Sequence, residues 1–566
     1  MQNPPLLTFG LAAATVGVLG SIGLSAFLSV VHANLFPQGR TVFMAAQLFT
    51  LLTVAWLITR LIYELTVASS TTAKWIVLVL LTTVVGCAAY MASGVFSWHD
   101  ELYSWNLWAI QHFQGLPYDQ HYTQAAYPQA YAYWLASIYG AQGQFLSQWG
   151  TRLASSIPIL LLLGCAVALW QPSVTARVVA AQTGITALAF LSMYKNLLMG
   201  YADPLMSAAL AVSLLALLCY SVNVQRLGWL LASVGAAVLA AYTKQPAVLW
   251  ACGSLPLIAL AGKLWWGWPW RAVAIAVTGA LLAAFGTFVV TSNITDNEGV
   301  ISRALGDQSV VQTLLTSVYR YLIKRPLILL LLAGSWWAVR RDRFLHLIWW
   351  AALPPMIGLW FTLGSYESRH GIHCVWWAAL LWLAALKRGA SPTVPGPPAQ
   401  AIMPGQRRMR WLAAVGGTVV TLAGVGVVTK LLADHRGTDL HDGQKTAFAE
   451  QMGTQNAGAF FAQRVAKQSH VFTTSNYSWG LFYGRLPVSR AAIHHDVSTD
   501  TVGRLLQKNR ADYAIASGQY AFGRHSELLL ALAAQCPSAL QPTMRSSDGI
   551  FTVFAVALPE LSACID

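Results

Sequence analysis

Apolar runs of bilayer length, repeated from the start of the chain to about residue 432, decide what it can fold into. A helix that crosses a bilayer needs about 20 predominantly apolar residues, because each backbone N–H and C=O must find its partner within the segment. By that rule about thirteen spans can be drawn, at roughly 6–31, 41–63, 75–97, 151–170, 174–194, 203–222, 227–243, 246–262, 271–291, 325–339, 344–363, 371–386 and 411–432. Two of them are divided only by the short break Thr243-Lys244-Gln245-Pro246. Of the 566 residues only 10% are charged, against about 25% in soluble domains. The fold class is therefore an α-helical polytopic membrane protein. The opening MQNPP lacks the basic region of a signal peptide, and Leu6–Val31 is too long for a signal-peptide core, so that run is expected to be a retained first span.

The formal charge of +14 belongs to the membrane topology rather than to a nucleic-acid partner. With the N-terminus in the cytoplasm, the inner turns hold Arg60, Lys74, Arg177, Arg226, Lys263 and Arg271. Further on they hold Arg340, Arg341, Arg343, Lys387, Arg388, Arg407, Arg408 and Arg410. Basic residues concentrated in cytoplasmic turns are the pattern of the positive-inside rule. The outer side then receives 98–150, 195–202, the 243–246 break, 292–324, 364–370 and the C-terminal region. The basic residues there are few: Lys195, Lys244, Arg303, Arg320, Lys324, Arg325 and Arg369. Topology does not require them, so they are either anion ligands or, as favoured for Lys324 and Arg325, side chains snorkelling to lipid headgroups.

After Ala433 the chain turns polar. Short runs such as 469–474, 513–516 and 549–557 read as strands, and 501–508 and 526–534 as helices. The expected division is a membrane domain over 1–432, with a first outer loop at 98–150, and a small α/β extracytoplasmic domain over 433–566. No GxGxxG, P-loop, HExxH or GxSxG pattern occurs in that domain. Five cysteines lie in apolar runs, whereas Cys536 and Cys564 share the polar region and are expected to pair if it faces an oxidising compartment.

Three outer stretches carry the chemistry. Asp100 and Glu101 leave the third span as an adjacent carboxylate pair, a costly arrangement at a membrane surface and so a functional candidate. Trp98, Tyr103, Trp105, Trp108, Tyr118, Tyr122, Tyr127, Tyr131, Tyr133 and Trp134 surround them, as expected of a segment lying in the interface, or of a plain aromatic anchor. A second stretch, Tyr194 to Pro204, places Asp203 where it can cap a helix or hold Lys195. The third, Gly364 to His373, packs Tyr366, Glu367, Arg369, His370 and His373 into one turn; a zinc site there lacks ligands.

Together these stretches resemble the GT-C superfamily of membrane glycosyltransferases, which take sugar from a polyprenyl-phosphate donor. The resemblance runs over 75–390 and rests on Asp100-Glu101 with the Tyr127-Pro128 element, on Gly200-Tyr201-Ala202-Asp203-Pro204, and on Ser368-Arg369-His370. A C-terminal extracytoplasmic domain behind so many spans is similar to the aminoarabinose lipid A transferases. The family's acidic loop usually follows the first span; here extra helices come before it and preserve the parity. The resemblance implies a bacterial inner-membrane enzyme with Asp100 as general base and Glu101 orienting the acceptor, a basic partner or a divalent metal ion. Lys195, Lys244, Arg369 and His370 would hold the donor phosphate. Tyr127, Tyr201, Asp203 and Tyr366 would line the substrate pocket. The acceptor is a glycan, lipid or protein, and metal dependence stays open. Two rivals stand beside it: a ligase or polymerase of lipid-linked glycans, which would use Arg369, His370 and His373, and a flippase, which would want its charges at mid-membrane depth.

Overall fold

The structure is a computed structural model. It describes residues 6–35, 39–67, 82, 83, 85–89, 91, 96, 105–114, 128–143, 148–170, 176–224, 226–291, 309–362 and 368–389, and then 470–473, 488–490, 498–517, 525–545 and 551–565. The chain divides into two units, 1–93 with 124–431, and 94–123 with 432–566.

In chain order the first helices are α1 (Leu6–Leu35), α2 (Arg40–Val67), α3 (Asn106–Gln114), α4 (Ala130–Gln142), α5 (Trp149–Ala154), α6 (Ile157–Ala168), α7 (Ala176–Leu197) and α8 (Ala202–Val222). They are followed by α9 (Leu227–Thr243), α10 (Leu255–Trp266), α11 (Trp270–Thr291), α12 (Val310–Val318), α13 (Pro326–Val339), α14 (Arg343–Thr362) and α15 (Ile372–Gly389). All but α3 lie in the first unit. Helices occupy the expected apolar runs except 75–97, where few residues are described, and 411–432, which lies outside the described residues. Among the described residues six helices are long and apolar enough to cross a bilayer. A seventh is added if Val310–Ile323 and Pro326–Val339, bent by 92°, form one span. The molecule is thus a polytopic helical membrane protein.

The first unit is organised around α8. Its residues from Ala202 to Tyr220 are buried, whereas α2 exposes Val42, Met44, Leu48, Phe49, Leu51 and Leu52, as a lipid-facing helix does. Without a hydrophobic drive between helices in lipid, small and hydroxyl side chains do the joining. Ser213 of α8 and Ser233 of α9 each donate to the other's backbone carbonyl at 2.8 Å. Trp250 Nε1 donates to Ser213 Oγ at 2.8 Å. Ser21 and Thr53 join α1 to α2 at 3.1 Å. Ser254 Oγ donates to the Ala351 carbonyl at 2.6 Å, tying the segment before α10 to α14.

Basic residues from several turns collect at one end of this unit. Arg388 donates to Asp342 at 2.9 Å and to Ser221 at 2.8 Å. Lys387 donates to the Ala168 carbonyl at 3.0 Å. Arg226 lies over the Phe9 ring at 6.0 Å, and Arg60 lies against Gly10.

The second unit contains a five-stranded sheet of order β2-β1-β3-β5-β4, made from β1 (Val471–Thr473), β2 (Val488–Arg490), β3 (Tyr513–Ser517), β4 (Leu540–Arg545) and β5 (Phe551–Val556). The β1–β2 and β1–β3 pairs are parallel, while β3–β5 and β4–β5 are antiparallel. Helices α16 (Thr499–Lys508), α17 (His525–Gln535) and α18 (Leu558–Ile565) accompany it, and Phe472, Val502, Leu506, Leu529, Leu532, Phe554 and Leu561 form its core. Ser498 begins α16 with a capping box to Thr501. Pro542 sits on edge strand β4 at a bulge, the position in a sheet that tolerates a missing donor. Cys536 and Cys564 form a disulfide. Helix α3 belongs to this unit too. Trp105, Trp108, Ala109 and Ile110 around it are buried, so this part of the aromatic stretch packs against protein rather than facing lipid.

Candidate functional site

Asp203 is the centre of the site, in the first turn of α8. Its side chain does not cap that helix: the N-cap residue is Tyr201, and no side chain caps there. Nor does it hold Lys195, which stays exposed near the end of α7 and makes no ion pair among the described residues. The Asp203 carboxylate accepts instead from Lys244 Nζ, at 2.7 Å on Oδ1 and 2.6 Å on Oδ2. Both side chains are buried, at 7% and 1% exposure.

The short break after α9 is what delivers Lys244. Pro246 has no N–H to donate to the Tyr242 carbonyl, and its ring would clash with that carbonyl in a continuous helix; α9 stops at Thr243. Lys244 is extended, at φ −160° and ψ 143°. A 3₁₀ turn, Gln245–Ala247, and a π-helical turn, Leu249–Ser254, then restart the helix. Lys244 thereby turns inward, toward Asp203.

Arg369 arrives from a third part of the chain, in a 3₁₀ turn over Ser368–Gly371 that opens α15. Its Nε lies 3.9 Å from Asp203 Oδ2. Its guanidinium lies over the Tyr201 ring, with Cζ 4.1 Å from the centroid, an arrangement that holds the cation by the ring's negative face. Asn196 of α7 donates to Ser368 Oγ at 3.1 Å and so ties the turn to the neighbouring helix. Gly371 is required by packing, since a Cβ there would strike the buried Trp360 ring. His370 is buried in the same turn, within electrostatic reach of Asp203. His373 follows on α15, at 2% exposure, within reach of both Asp203 and Lys244. Neither of its ring nitrogens has a hydrogen-bond partner among the described residues.

The structure therefore gathers Tyr201, Asp203, Lys244, Arg369 and His370 at one point and leaves Lys195 outside it. Asp100, Glu101, Tyr127 and Tyr366 lie outside the described residues. Among the described residues no three metal-ligating side chains converge. Sequence reading passed over Asn196 altogether. It named His373 for a weak zinc site and for the ligase or polymerase alternative, and the structure adds that this ring is buried beside Asp203 and Lys244. A carboxylate, a lysine and an arginine so fixed in a low-dielectric setting can hold an anion without reorganising around it.

No protein-family model matches the chain, and no curated protein does. Among solved structures it is similar to the crystal structure of ArnT from Cupriavidus metallidurans in the apo state. The two are 16% identical with a TM-score of 0.50, over 87% of this chain and 99% of that one. At that identity the likeness shows the fold alone: a polytopic helical membrane fold like that of the ArnT structure.

Proposed function

We propose that this chain is a membrane glycosyltransferase that moves a sugar from a polyprenyl-phosphate donor to an acceptor hydroxyl. The observation that carries the reading is the meeting of Lys244, Arg369 and His370 around Asp203, from segments far apart in sequence and on an ArnT-like fold. In the reaction the acceptor oxygen attacks the anomeric carbon. The bond from that carbon to the phosphate oxygen breaks, and polyprenyl phosphate leaves with the electron pair. Charge grows on the phosphate as the bond breaks, so fixed cations that meet it there lower the barrier. Arg369 is suited to fork two phosphate oxygens. Lys244, oriented by Asp203, supplies a second positive charge, and Tyr201 keeps the guanidinium in place. Asp100 takes the hydroxyl proton and Glu101 orients the acceptor; those two roles rest on the sequence alone. The setting is a bacterial inner membrane, with the chemistry on its outer face.

The test is Arg369→Ala against Arg369→Lys, with donor binding and single-turnover transfer measured separately. Arg369→Ala should weaken donor binding and lower transfer by about a hundredfold, the scale of losing one donor to developing charge. Lysine should restore only part, because it cannot make the planar two-pronged contact. Unchanged donor affinity in Arg369→Ala would return this residue to packing. Release of polyprenyl diphosphate in place of the monophosphate would favour a ligase or polymerase.

A further inference from the structure

The end of the helical unit opposite the Asp203 cluster carries a second site, independent of the reading above. There a cleft of about 760 Å³ is lined by Leu264, Trp265, Trp266, Arg340, Arg343, His346, Leu347 and Trp350. These residues come from the end of α10, the end of α13 and the first turns of α14. The 20 residues of α14 run from this cleft toward the turn that holds Arg369. At 1.5 Å per residue that places the two sites about 30 Å apart.

The polar and apolar walls of the cleft are distinct. Asp342 lies between the basic residues, but its carboxylate is already engaged. It accepts from the Phe344 and Leu345 amides at 2.9 and 3.0 Å and from Arg388 at 2.9 Å. Among the described residues no carboxylate pairs with Arg340 or Arg343. Arg340 lies over the Trp337 ring, with Cζ 3.3 Å from the centroid, so its guanidinium is held in position. His346 Nε2 accepts from Trp350 Nε1 at 2.6 Å, which leaves Nδ1 as the ring's donor. Facing these donors are exposed apolar side chains: Leu264 at 66%, Trp265 at 68% and Trp350 at 52%. Paired tryptophans beside arginines mark the depth where lipid headgroups meet acyl chains.

We propose that this cleft binds an anionic phospholipid. Arg340, Arg343 and His346 hold the phosphodiester, and Trp265, Trp266, Trp350 and Leu264 hold the glycerol and the upper acyl chains. Two guanidiniums that pair with no carboxylate among the described residues call for an anion, and basic pockets between membrane helices are suited to anionic headgroups. The broad apolar wall selects a lipid over free phosphate, which would leave that wall without a partner.

The experiment is native mass spectrometry of the full-length protein in mild detergent, titrated in separate arms with phosphatidylglycerol, phosphatidylcholine and inorganic phosphate. Phosphatidylglycerol should remain bound where phosphatidylcholine dissociates, and excess inorganic phosphate should not displace it. Arg343→Ala should weaken phosphatidylglycerol binding about tenfold, the scale of one charge-assisted contact. Arg341→Ala removes the same charge from an exposed neighbour outside the cleft and should change binding less than twofold. Equal loss in the two variants would reduce the effect to general charge and overturn the site. So would equal retention of the two lipids, or displacement by phosphate. Arg343→Lys, which keeps charge and fold, should retain most of the binding; loss there equal to that in Arg343→Ala would also count against the proposal.

Discussion

Asp203 and Lys244 form a buried pair whose members depend on each other. Taking either partner away leaves an uncompensated charge in a low-dielectric setting, at a cost of about 3–5 kcal/mol. Asp203→Asn and Lys244→Met should each lower thermal stability in detergent by that order. The double variant should lose less than the sum, because removing both charges removes the penalty. Additive losses would mean that the 2.6 Å contact carries no coupling. The carboxylate pair of the first outer loop invites a different measurement. If Asp100 is the general base, Asp100→Asn should fold and bind donor yet transfer about a hundredfold more slowly, since an amide cannot take the proton. Glu101→Gln should be milder or act on acceptor affinity. Near-normal single-turnover transfer by Asp100→Asn would leave that loop as an aromatic anchor.

At the scale of elements, breaks in helices matter as much as helices. The extended Lys244 and the 3₁₀ turn over Ser368–Gly371 are where the bundle admits charge, while the continuous α8 between its neighbours supplies rigid support. In the second unit the joint is covalent. The Cys536–Cys564 disulfide closes a loop of 28 residues and links the end of α17 to α18. Such a link restricts the unfolded chain, and removing one costs about 2–5 kcal/mol in small extracytoplasmic domains. Intact-mass analysis without reductant should find the two cysteines joined, and Cys536→Ser/Cys564→Ser should unfold this unit at lower temperature. A double variant as stable as the parent would show that the sheet core suffices.

For the whole molecule the open variable is sidedness. The basic turns gather at one end of the helical unit, as residues retained in the cytoplasm do. The second unit holds a disulfide, which persists outside reducing compartments. Both signals favour a cytoplasmic basic end and an external C-terminal unit. A cysteine replacing the exposed Asp500 should therefore react with an impermeant reagent in intact cells, and one replacing the exposed Arg341 should not. Labelling of the Arg341 position alone would reverse the orientation.

Sequence by itself determined the class of this protein, because bilayer thickness sets the length and composition of any helix that crosses it, and both are written in the order of residues. It also marked Lys244 and Arg369, since charge next to long apolar runs is costly enough to stand out, while Tyr201, Asp203 and His370 entered the site through the family resemblance. The C-terminal strands at 471–473, 513–517 and 551–556 were legible for a similar reason, an alternation bounded by turns. Leu540–Arg545 was not, being polar and interrupted by Pro542, and only its place at the sheet edge makes it a strand. Which charge meets which was settled only in three dimensions. Lys195 is nearer to Asp203 along the chain, yet Lys244, 41 residues away, makes the contact. A pairing of that kind depends on where α9 ends and how α8 packs against it, and on how Asn196 and Trp360 seat the Arg369 turn. Those are properties of packed helices, absent from any local pattern of residues.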